Sequence, residues 1–126
     1  DYRVVPACAF VFPEIASVGL GEEEARQAAE QVVVKKFPFR ALGKAHVLGE
    51  TGGFVKMLAD GKTGELLGVH ICGPQASSLI GEAALALQLE CTAEELAETI
   101  HAHPTLAEAM HEAAEGLVGL PVNWRG

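Results

Sequence analysis

The stretch FVKMLADGKTGELLGVHIC, at positions 54 to 72, decides the fold of this chain. Its two ends, Phe54–Ala59 and Leu66–Cys72, are apolar and have the composition of buried strands. Between them, the segment from Asp60 to Gly64 supplies the glycines and short polar side chains of a turn. The stretch therefore predicts an antiparallel hairpin.

The residues before the hairpin predict one helix and two further strands. The apolar segment Val4–Val11 is interrupted by Pro6, which indicates an edge strand or an irregular strand. Three consecutive glutamates open a predicted helix, Glu22–Glu30, where the positive end of the helix dipole stabilises their charge. The β-branched segment Gln31–Phe37 predicts a strand. For Arg40–Gly49 the pattern is ambiguous, and we expect one short helical turn.

Three helices are predicted after the hairpin. Apolar residues recur at helical spacing from Ala76 to Leu89. Thr92 begins a capping box for a short helix that ends near Thr99. The last helix is predicted to start at Pro104 and to end at Gly116. The order β-α-β-β-β-α-α-α predicts an α+β fold, in which helices pack on an antiparallel β-sheet.

The helix Ala76–Leu89 has a second apolar flank. Leu85 and Leu89 lie off the stripe that the other apolar residues of this helix form. A helix with two apolar flanks has to bury both, and only one of them can face its own sheet. The second flank is the first indication of an interface with another subunit.

Composition bounds the classes of function. The chain has 126 residues, of which 49% are hydrophobic and 21% are charged, as expected for one globular domain with its own core. A formal net charge of −8 disfavours a nucleic-acid or anionic-membrane partner. No apolar run approaches the roughly 20 residues of a membrane span, and the N-terminus does not resemble a signal peptide. Because the sequence begins at Asp1 and not at Met, we expect an excised domain.

The cysteines indicate a reducing environment. Cys8, Cys72 and Cys91 form an odd set without a CxxC spacing, which does not predict a disulfide framework. We therefore expect a cytoplasmic protein, and no redox-active pair of neighbouring cysteines within this chain. The roles of the three thiols are left open.

Two of the five histidines have a structural interpretation. His46 lies in the ambiguous segment, and we expect it at the surface. His70 lies in a predicted strand whose other face carries Leu67, Val69 and Ile71. Alternation along the strand predicts that His70 points away from these three side chains.

The segment HAHPTLAE, at positions 101 to 108, brings an imidazole and a carboxylate together. His103 is predicted at the N-cap of the last helix, just before Pro104, and Glu108 projects from the following turn. Such a carboxylate can accept the proton of one imidazole nitrogen and leave the other nitrogen free as a base. The helical wheel places Glu108 away from the apolar stripe, with His111, Glu112 and Glu115. This is two-thirds of a catalytic triad, without the nucleophile.

Two other interpretations of these residues stay open. His103 and Glu108 can be an ordinary surface ion pair. His101, His103, Glu108 and His111 can be metal ligands, although no HExxH motif or cysteine pair supports a metal site. The glycines form neither GxGxxG nor a phosphate-binding loop, so no nucleotide site is predicted within this chain.

HAHPTLAE resembles the HxHPTxxE signature of the dihydrolipoamide dehydrogenases. FPEIASVGL at 12–20, GFVK at 53–56 and LGVHICGP at 67–74 resemble further segments of that family. The resemblance covers nearly the whole chain and corresponds to the C-terminal dimerisation domain of FAD-dependent pyridine nucleotide–disulfide oxidoreductases. Leu106-Ala107 before the glutamate, and a tail without cysteine, distinguish the chain from glutathione-reductase-like and mercuric reductase members. Val11-Phe12 departs from the threonine and polar residue that the family commonly has there.

The resemblance implies a division of labour between domains. The chain would be a single dimerisation domain over residues 1–126, inactive and without bound cofactor on its own. FAD, NAD and the redox-active cysteine pair would belong to N-terminal domains that the chain lacks. In a homodimer, His103 would reach the partner's active site and accept the proton of a dihydrolipoamide thiol, and Glu108 would hold the imidazole.

The resemblance also implies a position for the cofactor and further partners. His103 and Pro104 would lie beside the partner's FAD, with the His–Pro bond in the cis form that proline tolerates. The helix Ala76–Leu89 would be the pairing surface. The acyltransferase subunit of a 2-oxo acid dehydrogenase complex would dock near the dimer axis. The alternative is a purely structural dimerisation module of a related disulfide reductase.

Overall fold

The strands of the described chain form a five-stranded antiparallel sheet with the order β1-β2-β5-β4-β3. The computed structural model describes residues 4–119, so the C-terminal tail used in the sequence comparison lies outside the described residues. The strands are β1 (Ala7–Ala9), β2 (Ile15–Gly19), β3 (Val32–Pro38), β4 (Phe54–Asp60) and β5 (Leu66–Cys72).

The helical elements of residues 4–119 divide between the two sides of the β4–β5 hairpin in the sequence. Before it lie α1 (Glu22–Ala28), a 3₁₀ turn (Phe39–Ala41) and α2 (Gly43–Leu48), and after it lie α3 (Ala76–Gln88), α4 (Ala93–Glu98) and α5 (Glu108–Leu117). The predicted α+β class is confirmed. None of the helices between residues 4 and 119 is long and apolar enough to cross a membrane.

The hairpin that decides the fold is confirmed as the pair β4 and β5. Its pairing register shifts after Leu58, where a β-bulge interrupts the ladder. Because of this shift, Leu67 packs with Ala25 and Leu58 in a small cluster under α1. The prediction that Leu67 shares a face with Val69 and Ile71 is therefore wrong, since those two residues belong to the main core.

Strand β2 was not predicted, and the predicted strand Val4–Val11 contracts to β1. Strand β2 has small residues of low strand propensity, such as Ala16 and Ser17. Its backbone pairs with β5, about fifty positions away in the sequence, and this pairing buries Ala16 and Val18. A local pattern contains no information about such a distant partner.

The main core lies between one face of the sheet and the helices α3 and α5. Its largest fully buried side chains come from four strands, two helices and the 3₁₀ turn: Val18, Phe37, Phe39, Val55, Met57, Leu66, Val69, Ile71, Leu87 and Met110. Helix α3 matches the predicted span to within one residue, and its second flank is uncovered. Leu85 is 60% exposed and Leu89 is 65% exposed.

Helix α1 lies against the opposite face of the sheet and ends at Ala28, two residues before the predicted end. Glu22 in its first turn bonds Lys56 of β4 and Arg26 of the same helix, each at 2.8 Å. The hydrogen bond from Lys56, assisted by Arg26, lowers the pKa of Glu22 to about 2. The ion pair between Glu22 and Lys56 connects α1 to strand β4.

Several smaller predictions are confirmed. In the capping box of α4, the Thr92 N–H donates to Glu95 Oε1 at 2.8 Å, and the Glu95 N–H donates to Thr92 Oγ1 at 3.2 Å. His46 is exposed. His70 is partly buried, with Nε2 2.9 Å from the Leu20 carbonyl oxygen, as expected for a structural histidine. All three cysteines are free thiols.

Gly116 does not end the last helix. Helix α5 continues to Leu117, and Gly119, with φ of +92°, lies beyond it in the left-handed conformation that glycine tolerates. Gly116 instead lies in contact with β3: a Cβ there would stand 2.4 Å from the Lys35 side chain, which would have to shift.

Candidate functional site

The loop between α4 and α5 carries His103. The peptide bond between His103 and Pro104 is cis, the form that the resemblance implies. Helix α5 begins at Glu108 with Ala107 as its N-cap, so His103 does not lie at the N-cap as predicted, and Pro104 is not a helical residue. The Thr105 N–H explains the later start, because it donates to the Glu108 carboxylate at 2.9 Å and turns the loop back toward α5.

His103 and Glu108 form the predicted pair. Nδ1 of His103 lies 2.9 Å from Oε2 and 3.1 Å from Oε1 of Glu108. Because a carboxylate only accepts hydrogen bonds, Nδ1 carries the hydrogen, and Nε2 of the neutral ring is left as a proton acceptor. The His103 side chain is 80% exposed and that of Glu108 is 19% exposed. The contact with Glu108 thus fixes the tautomer of the exposed His103 ring and leaves Nε2 able to accept a proton.

The surroundings keep Glu108 ionised. Burial acts to raise the pKa of Glu108, but the Thr105 N–H, the hydrogen bond with His103 and the charges of His103 and His111 outweigh it. The net pKa therefore lies below its ordinary value of 4.5. The position of Glu108 in the first turn of α5 also suits a negative charge.

The four residues of the metal hypothesis line one cavity, but each of the three histidines bonds a different carboxylate. His103 pairs with Glu108, while His101 Nε2 lies 2.5 Å from Glu82 Oε2 and His111 Nε2 lies 2.5 Å from Glu115 Oε1. Across residues 4–119, no group of three or more His, Cys, Asp or Glu side chains is arranged to hold a metal ion. The helical wheel was wrong about Glu112, which is buried with 3% exposure and does not face outward.

An open cavity of about 420 Å³ lies beside the pair. It is lined by Glu98, Thr99, Ile100, His101, His103, Glu108, His111 and Glu112. No cysteine of the described chain lines this cavity. A sulfur nucleophile at this place would therefore have to come from outside residues 4–119.

The glycine-containing loops at 49–53 and 73–75, near the start of α3, do not form a nucleotide site. They line a cavity of about 620 Å³, together with Glu14. The Glu14 carboxylate accepts from the Ser77 N–H at 3.0 Å and from Ser77 Oγ at 2.8 Å, and the backbone bond is the main reason for its lowered pKa. The start of α3, where a pyrophosphate would bind, is therefore already occupied by a negative charge.

Two contributors to the site were missed. Thr105 donates to Glu108 from the backbone and ties the loop to itself through a 2.7 Å bond from Oγ1 to the Ala102 carbonyl oxygen. Glu82 lies on α3, nineteen positions before the histidine that it bonds. Polar side chains in a loop that contains proline are a general signal for the first contributor. The sequence has no signal for the second.

The profile of the pyridine nucleotide-disulphide oxidoreductase dimerisation domain matches residues 5–114. The chain belongs to this family. Dihydrolipoyl dehydrogenases are among the relatives of this dimerisation domain: those of Mycobacterium leprae (strain TN) and Bacillus subtilis (strain 168) are each 48% identical over 124 residues, or 98% of the chain. The chain spans 27% and 26% of these two relatives, respectively. The resemblance to dihydrolipoamide dehydrogenases is confirmed.

Solved structures show the same dimerisation-domain fold. LpdA from Mycobacterium tuberculosis matches 93% of the chain with a TM-score of 0.87 at 33% identity, over 26% of its own length. The HOCl-induced flavoprotein disulfide reductase RclA from Escherichia coli matches 88% of the chain with a TM-score of 0.83 at 26% identity, over 26% of its own length. The five-stranded sheet with its helices is thus the shared architecture of the domain.

Proposed function

We propose that the chain is the C-terminal dimerisation domain of a dihydrolipoamide dehydrogenase and supplies its general base, His103. The observation that carries the proposal is the pair itself, an exposed imidazole whose Nδ1 is held by a partly buried carboxylate. The Thr105 N–H is a second donor to the same carboxylate and helps to hold it in place beside the ring. The 48% identity to dihydrolipoyl dehydrogenases supports the choice of substrate class.

The chemistry of His103 in this proposal is a single proton transfer. Nε2 accepts the proton of a dihydrolipoamide thiol, because only the thiolate attacks a disulfide at a useful rate. Glu108 stabilises the imidazolium that results and keeps Nε2 directed outward. When bound by the rest of the enzyme, FAD would supply the redox chemistry that links the dithiol to NAD. In this proposal His103 and Pro104 would be the residues of this chain next to the FAD site of the partner subunit.

The site is completed in trans. No described cysteine lies at the cavity beside His103, so the disulfide belongs to another part of the enzyme. The exposed side chains Leu85 and Leu89 of α3 provide apolar surface for pairing with a second copy. A homodimer in which each chain brings its histidine to the partner's disulfide satisfies both observations, and the FAD and NAD domains then precede this domain.

Further partners and the location follow from the same proposal. The acyltransferase subunit of a 2-oxo acid dehydrogenase complex would bind near the dimer axis, and the formal net charge of −8 suits a basic partner surface. A cytoplasmic location stays a prediction from the cysteine content.

Replacing His103 by Gln in the full-length enzyme tests the proposal. We expect dihydrolipoamide turnover to fall about a hundredfold or more, because a positioned general base contributes that much. FAD content and dimer mass should not change. Unchanged turnover in this variant would reduce the domain to a structural dimerisation module.

A further inference from the structure

His101 is bonded at both ring nitrogens. Nδ1 lies 3.0 Å from the Thr99 carbonyl oxygen, and Nε2 lies 2.5 Å from Glu82 Oε2. The carbonyl only accepts, so Nδ1 donates to it, and a further proton lies between Nε2 and the carboxylate. The His101 side chain is 8% exposed, whereas that of His103 in the same loop is 80% exposed. The ring therefore connects the loop to α3 through hydrogen bonds, and we call this connection the cross-link.

The cross-link lies two residues before His103. On the other side, Thr105 and Glu108 hold the loop to α5. The loop that carries the exposed His103 imidazole is thus held on both sides, by Glu82 of α3 and by Glu108 of α5. The bond to Glu108 fixes the His103 ring but does not fix the backbone that precedes it. The bond between Glu82 and His101 fixes that part of the backbone.

Glu82 also belongs to the exposed flank of α3. It precedes Leu85 by three residues and Leu89 by seven, which places the three side chains on one face of the helix. Ile100, the neighbour of His101, is 96% exposed and lines the cavity beside His103. Covering this face would exclude water that competes for the bond between Glu82 and His101.

We propose that Glu82 is a positioning residue: through His101 it fixes the loop that presents His103, and it ties that loop to the helix face used for pairing. The proposal rests on the proposed function of His103. It assigns to α3 a role in catalysis besides dimerisation, because the same helix face carries the pairing leucines and the loop anchor.

The test uses four variants of the full-length dimer: Glu82→Gln, His103→Gln, the double variant of both, and Glu94→Gln as a matched control. Glu94 is an exposed glutamate on α4 and loses the same charge. We expect Glu82→Gln to lower kcat about tenfold, because small displacements of a reacting group are costly, with the KM for NAD, FAD content and dimer mass unchanged. In the His103→Gln background the same substitution should cause no further loss, since Glu82 acts through His103.

His101→Asn removes the same bond from its other end and guards against an effect peculiar to one variant. We expect it to match Glu82→Gln, and the double variant of these two to lose no more than either alone. The inference is overturned if Glu82→Gln keeps the kcat of the Glu94→Gln control, or if its loss persists in the His103→Gln background. Full turnover by His103→Gln itself overturns the proposed function, and with it this inference.

Discussion

The carboxylate of Glu108 serves two donors of one loop, the Thr105 N–H and the Nδ1–H of His103. In the proposed function, Glu108 orients the imidazole and balances its charge, while His103 accepts the proton. A glutamine at position 108 keeps the shape and loses the charge.

We therefore expect Glu108→Gln to slow dihydrolipoamide turnover by roughly tenfold, less than the roughly hundredfold loss expected for His103→Gln. The measurement is kcat/KM for dihydrolipoamide as a function of pH in the full-length enzyme. Equal pH profiles of this variant and the wild type would contradict the orienting role of Glu108.

The lowered pKa of Glu108 has a consequence for stability. A carboxylate whose pKa is lower in the folded chain stabilises it above the unfolded-state pKa, and this contribution is lost as the pH falls through the folded-state value. The difference in free energy of unfolding between the 126-residue wild-type chain and Glu108→Gln should therefore shrink as the pH falls below about 4.5, where the Glu108 carboxylate gains a proton. Chemical denaturation at several pH values measures it. A difference that stays constant down to the acid transition contradicts the ionised pair.

Among the elements, the meeting of β4 with the end of β5 depends on one glycine. Gly53 has φ of +96°, and a Cβ there would stand 1.8 Å from the Cys72 carbonyl oxygen. We expect Gly53→Ala to destabilise the chain by more than about 2 kcal/mol. Gly43→Ala is the matched control, because a Cβ at that position meets nothing within 4 Å. A Gly53 variant as stable as the Gly43 variant would show that the close approach is not needed.

The elements predicted well are those with local signals. The hairpin follows from its turn and its apolar ends, and α3 and α4 follow from helical spacing and a capping box. Strand β2, the packing of Leu67 and the bond between Glu82 and His101 depend on pairing between distant segments. The start of α5 was misplaced because Pro104, a favourable first helical residue, lies in a loop held by the side chain of Glu108.

For the candidate site, the sequence identified the histidine and its carboxylate but not the support behind them. The spacing of His103 and Glu108 is short enough for their contact to be predicted from one turn of chain. The metal hypothesis used the same histidines, and only three-dimensional placement separates them into pairs with Glu82, Glu108 and Glu115.

At the scale of the whole molecule, we expect self-association to depend on the exposed face of α3. Substituting glutamate for Leu85 and Leu89 in the full-length enzyme should raise the dimer dissociation constant at least about a hundredfold, because pairing would then bury two charges. Val47→Glu on α2 is the control, since Val47 is 77% exposed. Sedimentation velocity measures both. Equal dissociation constants would place the dimer interface elsewhere.

The central claim, that His103 serves as the base in the partner subunit's active site, is tested most directly with hybrid dimers. One subunit carries His103→Gln with its redox-active cysteines intact, and the other carries His103 with those cysteines replaced. If the histidine acts in trans, one of the two sites is complete, and the hybrid should show about half of the wild-type turnover per dimer. If the histidine serves its own subunit, both sites are defective, and a hybrid without activity above the two parent variants would contradict the account.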